Sequence, residues 1–299
     1  MVEKSKLYEN LGKIDNEWRD YLDDSIFEDE ALESIRKFSK ENIKSQKKAI
    51  LGIDIYRYSG YTEEKQNLIP FVFDILRDEC AKVLPYMEPS LFPKDVEVEF
   101  ISAGDGGFFI FETPLHAFVY NNMFHGGLRL FNTGHKYPRL SQFIGEVVIR
   151  SAITYDNIFY YEKNVYGKGI ITNARILNKD RLNRFLIDNS VYNYFIRFFN
   201  GIETLPIITK ETVKRVLKIE GDFQSTYFPN SDNPAEEKQK TYYPIRNINI
   251  QKVEDLFEKE AQLTLYNIEV QIELHLNELF SHSDHNNYIF TVGNTNTLR

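Results

Sequence analysis

The stretch that decides the fold is AILGIDIYRYSG, residues 49–60. Five of its first seven residues are apolar, and the run stops at a polar segment that ends in glycine. Such a run predicts a buried strand followed by a turn. Asp54 stands at the end of this strand, where its carboxylate is presented at the edge of a sheet. A single Asp in this position is more often a turn residue or a helix cap than a ligand.

Segments of alternating type follow this strand. The pattern predicts a helix over 67–84, two strands around a Gly-Asp-Gly turn over 96–112, a helix over 114–124, strands over 145–164 and a helix over 169–186. The order strand, helix, strand, turn, strand, helix, strand predicts an α/β (α+β) fold with a ferredoxin-like βαββαβ arrangement.

The chain divides into three regions by composition. Residues 1–47 are polar, with apolar positions at helical spacing, and predict an N-terminal helical extension. Residues 48–228 hold the alternating segments and predict the main domain. Residues 229–299 begin with a polar linker that contains Pro, and helical spacing over 250–281 then predicts a C-terminal helical extension.

Charge and cysteine content narrow the classes of function. The net charge is −8 and the isoelectric point is about 5.4, which argues against binding to nucleic acid or to an anionic membrane. Cys80 is the only cysteine, so the chain has no internal disulfide, as in proteins of a reducing compartment. The sequence has no apolar run of signal-peptide or membrane-spanning length. We expect a cytoplasmic protein without membrane insertion.

Two aspartates become informative when they are taken together. Asp105 lies in ISAGDGGFFIF, where glycines on both sides allow a tight turn; the commonest use of this pattern is an ordinary hairpin. In a βαββαβ fold the first strand lies beside the hairpin, so Asp54 and Asp105 are expected to be neighbours. Two carboxylates that close repel each other unless a cation lies between them. Mg²⁺ binds through one or two carboxylates together with substrate phosphates.

An arginine is the third candidate. Arg175 lies in GIITNARIL, on a helix that follows a strand and a turn. From such a position a guanidinium reaches negative charge that develops on a phosphate. An arginine on a helix is otherwise a solvated surface residue.

These segments, in this order, resemble the catalytic domain of the class III adenylyl and guanylyl cyclases over about residues 48–228. Asp54 to Ser59 stands at the place of the family motif Asp-Ile-x-Gly-Phe-Thr, Gly104-Asp105 at its Gly-Asp hairpin, and Arg150 to Thr154 at its Arg-x-Gly-Ile-His strand. Asn164 to Arg175 is similar to Asp-Val-Tyr-Gly-x-x-Val-Asn-x-Ala-x-Arg without a gap. LPIITKETVKRVL (205–217) and LKIEGDFQSTYF (217–228) resemble the late strand, helix and hairpin of the family.

The resemblance implies a site and an assembly. Asp54, Asp105 and the Ile55 carbonyl would hold two divalent cations, Mg²⁺ or Mn²⁺. Arg175 would stabilise the transition state as the 3′-oxygen of a nucleoside triphosphate attacks the α-phosphate. Lys218 lies near the family's late triphosphate-binding lysine. The site would be shared across a homodimer, with the aspartates of one chain facing Arg175 of the other.

The positions that read the base depart from the family pattern. Ile101 stands where adenylyl cyclases have Lys and guanylyl cyclases have Glu, and an Ile side chain forms no hydrogen bond. Asn164 stands at the second base-reading position, and its amide both donates and accepts. The family's ribose-orienting Asn is replaced by Ile171, with Asn173 two residues later. Beside the first metal site, Arg57 stands where the family has Gly and Tyr58 where it has Phe, and Tyr56 adds a further ring.

The additional aromatic rings would narrow the base site. A narrower site that offers the Asn164 amide suits a pyrimidine. In this respect the chain resembles the pyrimidine cyclases of the Pycsar antiphage systems, which make cyclic UMP or cyclic CMP for a separate effector. The expected substrate is UTP, with CTP as the alternative because Asn164 can present either face of its amide. An adenylyl cyclase is the next alternative. A non-catalytic nucleotide-binding module is the alternative from another class.

Overall fold

Strand β1 (Gln46–Ile55) lies inside a mixed sheet. The computed structural model describes residues 9–10, 12–13, 25–87, 92–93, 97–161, 164–180, 184–197, 207–208, 245–258, 261–275 and 287–293. β1 pairs antiparallel with β3 (Gly106–Phe111) on one side and with β4 (Ile149–Tyr161) on the other. Most of its length is buried, as expected for an apolar strand with neighbours on both sides.

The central part of the sheet has the predicted arrangement. Helix α2 (Glu63–Met87) leads from β1 to β2 (Glu99–Ala103), and helix α3 (Pro114–Asn132) leads from β3 to β4. These four strands lie in the order β2-β3-β1-β4, and all three of their pairings are antiparallel. This is the ferredoxin-like βαββαβ order, so the α/β prediction for the central domain is confirmed.

The two faces of the sheet have different covers. α2 and α3 pack on one face around an aromatic cluster that includes Phe73, Phe109 and Phe124. Helix α5 (Lys168–Lys179) covers the other face, where Gly169 lies against Ile50. Since alternate residues of a strand point to opposite faces, Asp54 shares the α5 face with Ile50.

The described residues form further elements. They are α1 (Ser25–Asn42), a 3₁₀ turn (Tyr58–Gly60), α4 (Pro138–Ile144), β5 (Asn164–Tyr166), β6 (Phe185–Asp188), α6 (Asn189–Arg197), β7 (Ile207–Ile208), β8 (Ile245–Glu258), β9 (Ala261–His275) and β10 (Asn287–Val292). α1 lies in the N-terminal region that was predicted to be helical. Within the described ranges, no helix combines the length and the hydropathy that crossing a membrane requires.

The C-terminal helical extension was predicted wrongly. The described segments after 244 form the strands β8, β9 and β10. They extend the same sheet in the order β4-β6-β9-β8-β7, and β10 pairs with β9 outside this order. Within β9 the buried positions Ile268, Val270 and Ile272 alternate with more exposed ones, which is the strand period. Glu- and Leu-rich composition favours a helix locally, but pairing with neighbouring strands overrides this preference. The predicted linker and the boundary at residue 228 lie outside the described residues.

The predicted helix over 169–186 also needs a correction. α5 ends at Lys179, and the segment Phe185–Asp188 is the buried strand β6. All four residues of β6 are buried. Its apolar run, residues 185–187, is too short to show a periodicity that separates a strand from a helix, so the sequence pattern merged the two elements.

Candidate functional site

Asp54 and Asp105 lie side by side at one end of the sheet. Asp54 is the ninth residue of β1 and pairs with Gly106, the residue after Asp105. Burial raises the pKa of Asp54 to about 6; the Arg150 guanidinium acts against this, and the charge and hydrogen bond of Asp105 raise the pKa further. The structure thus brings the two aspartates together.

Two glycines allow this approach. A Cβ atom on Gly106 would lie 2.1 Å from the Ile53 carbonyl oxygen and 2.8 Å from the Asp54 Cα atom. Gly104 adopts φ +67°, a left-handed conformation that Gly adopts without steric cost. The glycines that flank Asp105 thus let the turn approach the end of β1, which brings the two aspartates together.

Arg150 is the residue that sequence reasoning missed at this site. It stands directly opposite Asp54 in the β1–β4 register, and its Nε donates to Asp54 Oδ2 over 2.5 Å. Its Nη1 donates to the Asp180 carbonyl oxygen over 2.6 Å, just beyond the end of α5. The guanidinium therefore connects Asp54 to the end of that helix. The available signal was the position of Arg150 in the β4 motif, at the strand start that meets the end of β1.

A second ion-pair group supports Arg150. Asp180 is almost fully buried, and its carboxylate accepts from Arg184 Nε over 2.7 Å and from the Arg184 backbone N–H over 3.1 Å. Arg184 also donates to Glu254 on β8 over 3.2 Å. The cation beside Asp54 is thus held by a network of hydrogen bonds rather than by one flexible contact.

The loop after β1 is also tightly bonded. The Tyr56 backbone N–H donates to the Val148 carbonyl over 2.8 Å, and the Arg57 guanidinium lies 5.1 Å from the centre of the Tyr56 ring. Arg57 has φ 56° and ψ 35°, a left-handed conformation that is costly for a residue with a Cβ atom. Tyr58 packs against the main core, and its hydroxyl donates to the Gln66 carbonyl over 2.8 Å. Tyr58 therefore orders the loop from the inside.

The remaining base-site candidates lie near a small cluster of buried apolar residues, which are Ile50, Ile110, Ile158 and Val165. Ile101 packs against this cluster, which contains Val165, the neighbour of the exposed Asn164. Beside them the Tyr160 hydroxyl donates to Glu99 over 2.8 Å, a polar pair that sequence reasoning also missed. The structure thus places Ile101 at the cluster that contains Val165, the residue after Asn164, on the face of the sheet that Asp54 shares.

Helix α5 holds the other candidates in different environments. Asn173 is fully buried, and its Nδ2 donates to the carbonyl oxygens of Ile50 (2.8 Å) and Ala152 (3.0 Å). It therefore fixes the helix to the sheet and is not available to a ribose. Arg175 is half-buried on α5, and Ile171 is 51% exposed. Lys218 lies outside the described residues.

The donor set suits a hard divalent cation. Two carboxylates and the nearby backbone carbonyl of Ile55 are oxygen ligands of the type that Mg²⁺ and Mn²⁺ prefer. Among the residues that the structure describes, no group of three or more His, Cys, Asp or Glu side chains comes together. Asp54 and Asp105 thus match a cation that takes few protein ligands and completes its shell with water and phosphate oxygens.

Comparisons with known proteins give weak likenesses. No family model and no curated protein matches the chain. Among solved structures it is similar to the catalytic core of a rhodopsin–guanylyl cyclase with converted specificity, at 9% identity over 76% of this chain and 98% of that chain, with a TM-score of 0.45. The guanylate cyclase domain of RhGC from Catenaria anguillulae has 10% identity over 75% and 97% of the two chains, with a TM-score of 0.44. The adenylyl cyclase CyaB from P. aeruginosa has 10% identity over 75% and 95%, with a TM-score of 0.41. Any chemistry assigned to this chain therefore rests on its own residues.

Proposed function

We propose that this protein is a nucleotide cyclase, which converts a nucleoside triphosphate into a 3′,5′-cyclic monophosphate and pyrophosphate. The observation that carries the proposal is the adjacency of Asp54 and Asp105 at the end of β1: Asp54 pairs with Gly106, the residue after Asp105, and Asp105 raises the pKa of Asp54. The order and spacing of the motifs that resemble class III cyclases support it.

In the proposed reaction the 3′-oxygen attacks the α-phosphorus. The bond from this phosphorus to the α,β-bridging oxygen breaks, pyrophosphate leaves with the electron pair, and the 3′-hydroxyl proton goes to solvent. Two cations, Mg²⁺ or Mn²⁺, would supply Lewis-acid stabilisation of charge on the attacking and leaving oxygens. Asp54, Asp105 and the Ile55 carbonyl would hold them.

Three cationic residues would bind and orient the phosphates. Arg150 lies beside Asp54, where its guanidinium, held by Asp54 and the Asp180 carbonyl, would attract a phosphate oxygen. Arg175 would neutralise charge on the α-phosphate, and Lys218 would contact the triphosphate. Arg57, on the exposed side of the loop after β1, adds a fourth cation near that end of the sheet.

The proposed substrate is UTP, with CTP as the alternative. Ile101 gives the base no hydrogen-bonding partner, and the exposed Asn164 amide offers one donor group and one acceptor. Tyr56 is the aromatic residue of the β1 loop that would narrow the base site, whereas Tyr58 would act by fixing the loop. A cyclic pyrimidine nucleotide would then serve as a second messenger for a separate effector in antiphage defence.

A homodimer with shared sites completes the proposal. Tyr160, Tyr166 and Ile171 are 40%, 43% and 51% exposed. Tyr160 and Ile171 belong to the strand and the helix on the same side of the sheet as Asp54. Exposed apolar residues gathered at a site suit an interface with a second copy, which would bring Arg175 of one chain to the aspartates of the other.

One experiment tests the activity and the base preference together. The purified protein is incubated separately with ATP, GTP, CTP and UTP plus Mg²⁺ or Mn²⁺, and the products are identified by mass spectrometry. We expect cyclic UMP, and loss of at least about 100-fold in Asp105→Asn, because one ligand of the cations is weakened. Asp74→Asn, an exposed change on α2, is the matched control.

The other outcomes separate the alternatives. Cyclic CMP would move the preference to CTP, and cyclic AMP would support an adenylyl cyclase and contradict the roles of Ile101 and Asn164. Saturable triphosphate binding without pyrophosphate release would contradict the cyclase proposal in favour of a nucleotide-binding module.

A further inference from the structure

A cavity of about 420 Å³ lies between α3, residues 146–149 and strands β9 and β10. We call it the rear cavity, since α3 covers the sheet face opposite to Asp54. Its volume is within the range of small-molecule sites, about 300–1,000 Å³. None of the residues assigned to the proposed reaction lines it.

The rear cavity has a buried apolar wall, and several polar side chains also line it. Leu128, Val147 and Phe290 are buried residues of this wall. His125 also lines it, and among the described residues its buried Nε2 has no hydrogen-bond partner. Burial lowers the pKa of His125 to about 4, so the ring is neutral at pH 7 and can donate or accept. This nitrogen is shielded from the cavity, so a ligand that carries a hydrogen-bonding group would pair with it after a small turn of the ring. An unpaired buried nitrogen gains from such a bond.

The mouth of the rear cavity has one charge of each sign. Arg129 from α3 and Glu146 from the segment before β4 both line it and are exposed. Within the described part of the chain, neither has an ion-pair partner. A ligand with separate cationic and anionic groups meets both charges, whereas a simple anion or cation meets one and is repelled by the other.

The cavity wall is connected to the candidate site by hydrogen bonds. Asn132 holds Val147 on the cavity side, with its Nδ2 donating to the Val147 carbonyl (2.7 Å) and its Oδ1 accepting from the Val147 N–H (3.0 Å). The next carbonyl, that of Val148, accepts from Tyr56. Two residues further, Arg150 bonds Asp54. A displacement of this segment by a ligand would therefore move the loop after β1 and the cation beside Asp54.

We propose that the rear cavity binds a small zwitterion of the α-amino-acid type, whose apolar side chain ends in a hydrogen-bonding group, and that its binding changes turnover at Asp54. The charged end lies between Arg129 and Glu146, and the side-chain tip reaches His125. The binding part stands independently of the proposed cyclase function, while the effect on turnover rests on it.

Calorimetric titration of the full-length protein tests the binding. The reference probe is L-tyrosine. L-phenylalanine lacks its side-chain hydroxyl, tyramine lacks its carboxylate, and 3-(4-hydroxyphenyl)propionate lacks its amine. We expect L-tyrosine to bind most tightly and each of the others about tenfold or more weakly, the change that one lost polar contact gives. If none of the four gives a saturable signal, the proposal is overturned.

Matched variants assign the contacts. Arg129→Gln should abolish the preference for L-tyrosine over tyramine, and His125→Phe should abolish its preference over L-phenylalanine. Arg139→Gln, an exposed change on α4 that does not line the cavity, should leave all affinities unchanged. Melting curves identify any variant that fails to fold. Glu146→Gln then replaces it, and this variant should abolish the preference for L-tyrosine over 3-(4-hydroxyphenyl)propionate. Wild-type preferences in folded Arg129→Gln and His125→Phe would place the ligand elsewhere and refute the site.

The effect on turnover is measured separately. With the nucleotide that gives product, L-tyrosine should change the rate of the wild type at least about fivefold, the lower end of the usual coupling between sites, and leave the rate of Arg129→Gln unchanged. Binding with an unchanged rate would overturn the coupling. Binding to a protein that turns over no nucleotide would contradict the proposed function and leave the binding site standing.

Discussion

Arg150 Nε lies 2.5 Å from Asp54 Oδ2, across a pair of directly opposed residues on β1 and β4. This contact places a fixed cation beside a carboxyl group that burial would otherwise keep protonated to a higher pH. The same end of the sheet therefore holds acidic groups together with a cation, as the proposed triphosphate chemistry requires.

Replacement of Arg150 should move the pH dependence of turnover. The guanidinium lowers the pKa of Asp54, whereas burial and Asp105 raise it. In Arg150→Gln only the raising effects remain, so the acid limb of the kcat/KM profile should shift to higher pH, with a lower maximum. Arg150→Lys keeps the charge and should shift the limb less. An unchanged limb in Arg150→Gln would show that Asp54 does not control this titration.

Asp54 should make the protein less stable as pH rises. Its pKa is about 6 in the folded chain and 3.8 as the ordinary value, so the folded state binds the proton more tightly. The free energy of unfolding therefore falls between pH 4 and pH 6, by roughly 3 kcal/mol at most from this group. The free energy of unfolding is measured at each pH by denaturant titration in EDTA. Asp54→Asn should lose this part of the pH dependence, while Asp74→Asn should keep it. Parallel curves for wild type and Asp54→Asn would refute the pKa shift.

Gly106→Ala should separate β1 from β3 at the site. The new Cβ atom would meet backbone atoms of Ile53 and Asp54 at 2.1 and 2.8 Å, and neither atom belongs to a flexible side chain. We expect a loss of about 1–3 kcal/mol in the free energy of unfolding and a large loss of turnover. Gly104→Ala is the control: its Cβ meets nothing within 4 Å, so only its positive φ of +67° costs stability. Equal effects of the two changes on turnover would contradict the role of close approach.

Arg57→Gly should stabilise the chain and weaken substrate binding. Arg57 has φ 56°, and removal of the Cβ atom relieves a cost of about 1 kcal/mol. The variant also loses a cation beside the loop after β1, so KM should rise while the melting temperature rises. Arg57→Asn, which tolerates the left-handed conformation better than Arg, should show the same loss of affinity. A lower melting temperature in Arg57→Gly would show that the contact with Tyr56 outweighs the strain.

The central strand order could be predicted because its signals are local. The apolar run over 49–55 and the glycine turn around Asp105 each decide one element, and the βαββαβ connections then make the aspartates neighbours. The partner of Asp54 could not be found in this way, because the β1–β4 register that opposes it to Arg150 joins residues 96 positions apart.

The environment of Asn173 and the conformation of the C-terminal strands also depend on residues that are distant in the sequence. Asn173 was considered as a substitute for a ribose ligand, but it is buried because Gly52 leaves space for it: a Cβ there would lie 2.0 Å from Asn173 Oδ1. Side-chain direction on α5 thus depends on a missing atom in another strand. The strands β8 and β9 were read as a helix because their pairing partners, and not their own composition, determine their conformation.

Because β9 pairs with β6, the C-terminal strands cover an edge of the sheet that β6 would otherwise form. Leu186 and Ile187 face Asn267 and Tyr266 across this pairing. The Asn267 side chain also accepts from the Phe185 N–H over 3.3 Å and donates to the Gly293 carbonyl over 2.8 Å. A chain shortened to the predicted domain end at 228 would expose β6 as an unprotected apolar edge, which is the type of edge that recruits strands from other molecules. Such a chain should aggregate during expression, so we expect the last quarter of the sequence to keep the protein dispersed at working concentrations.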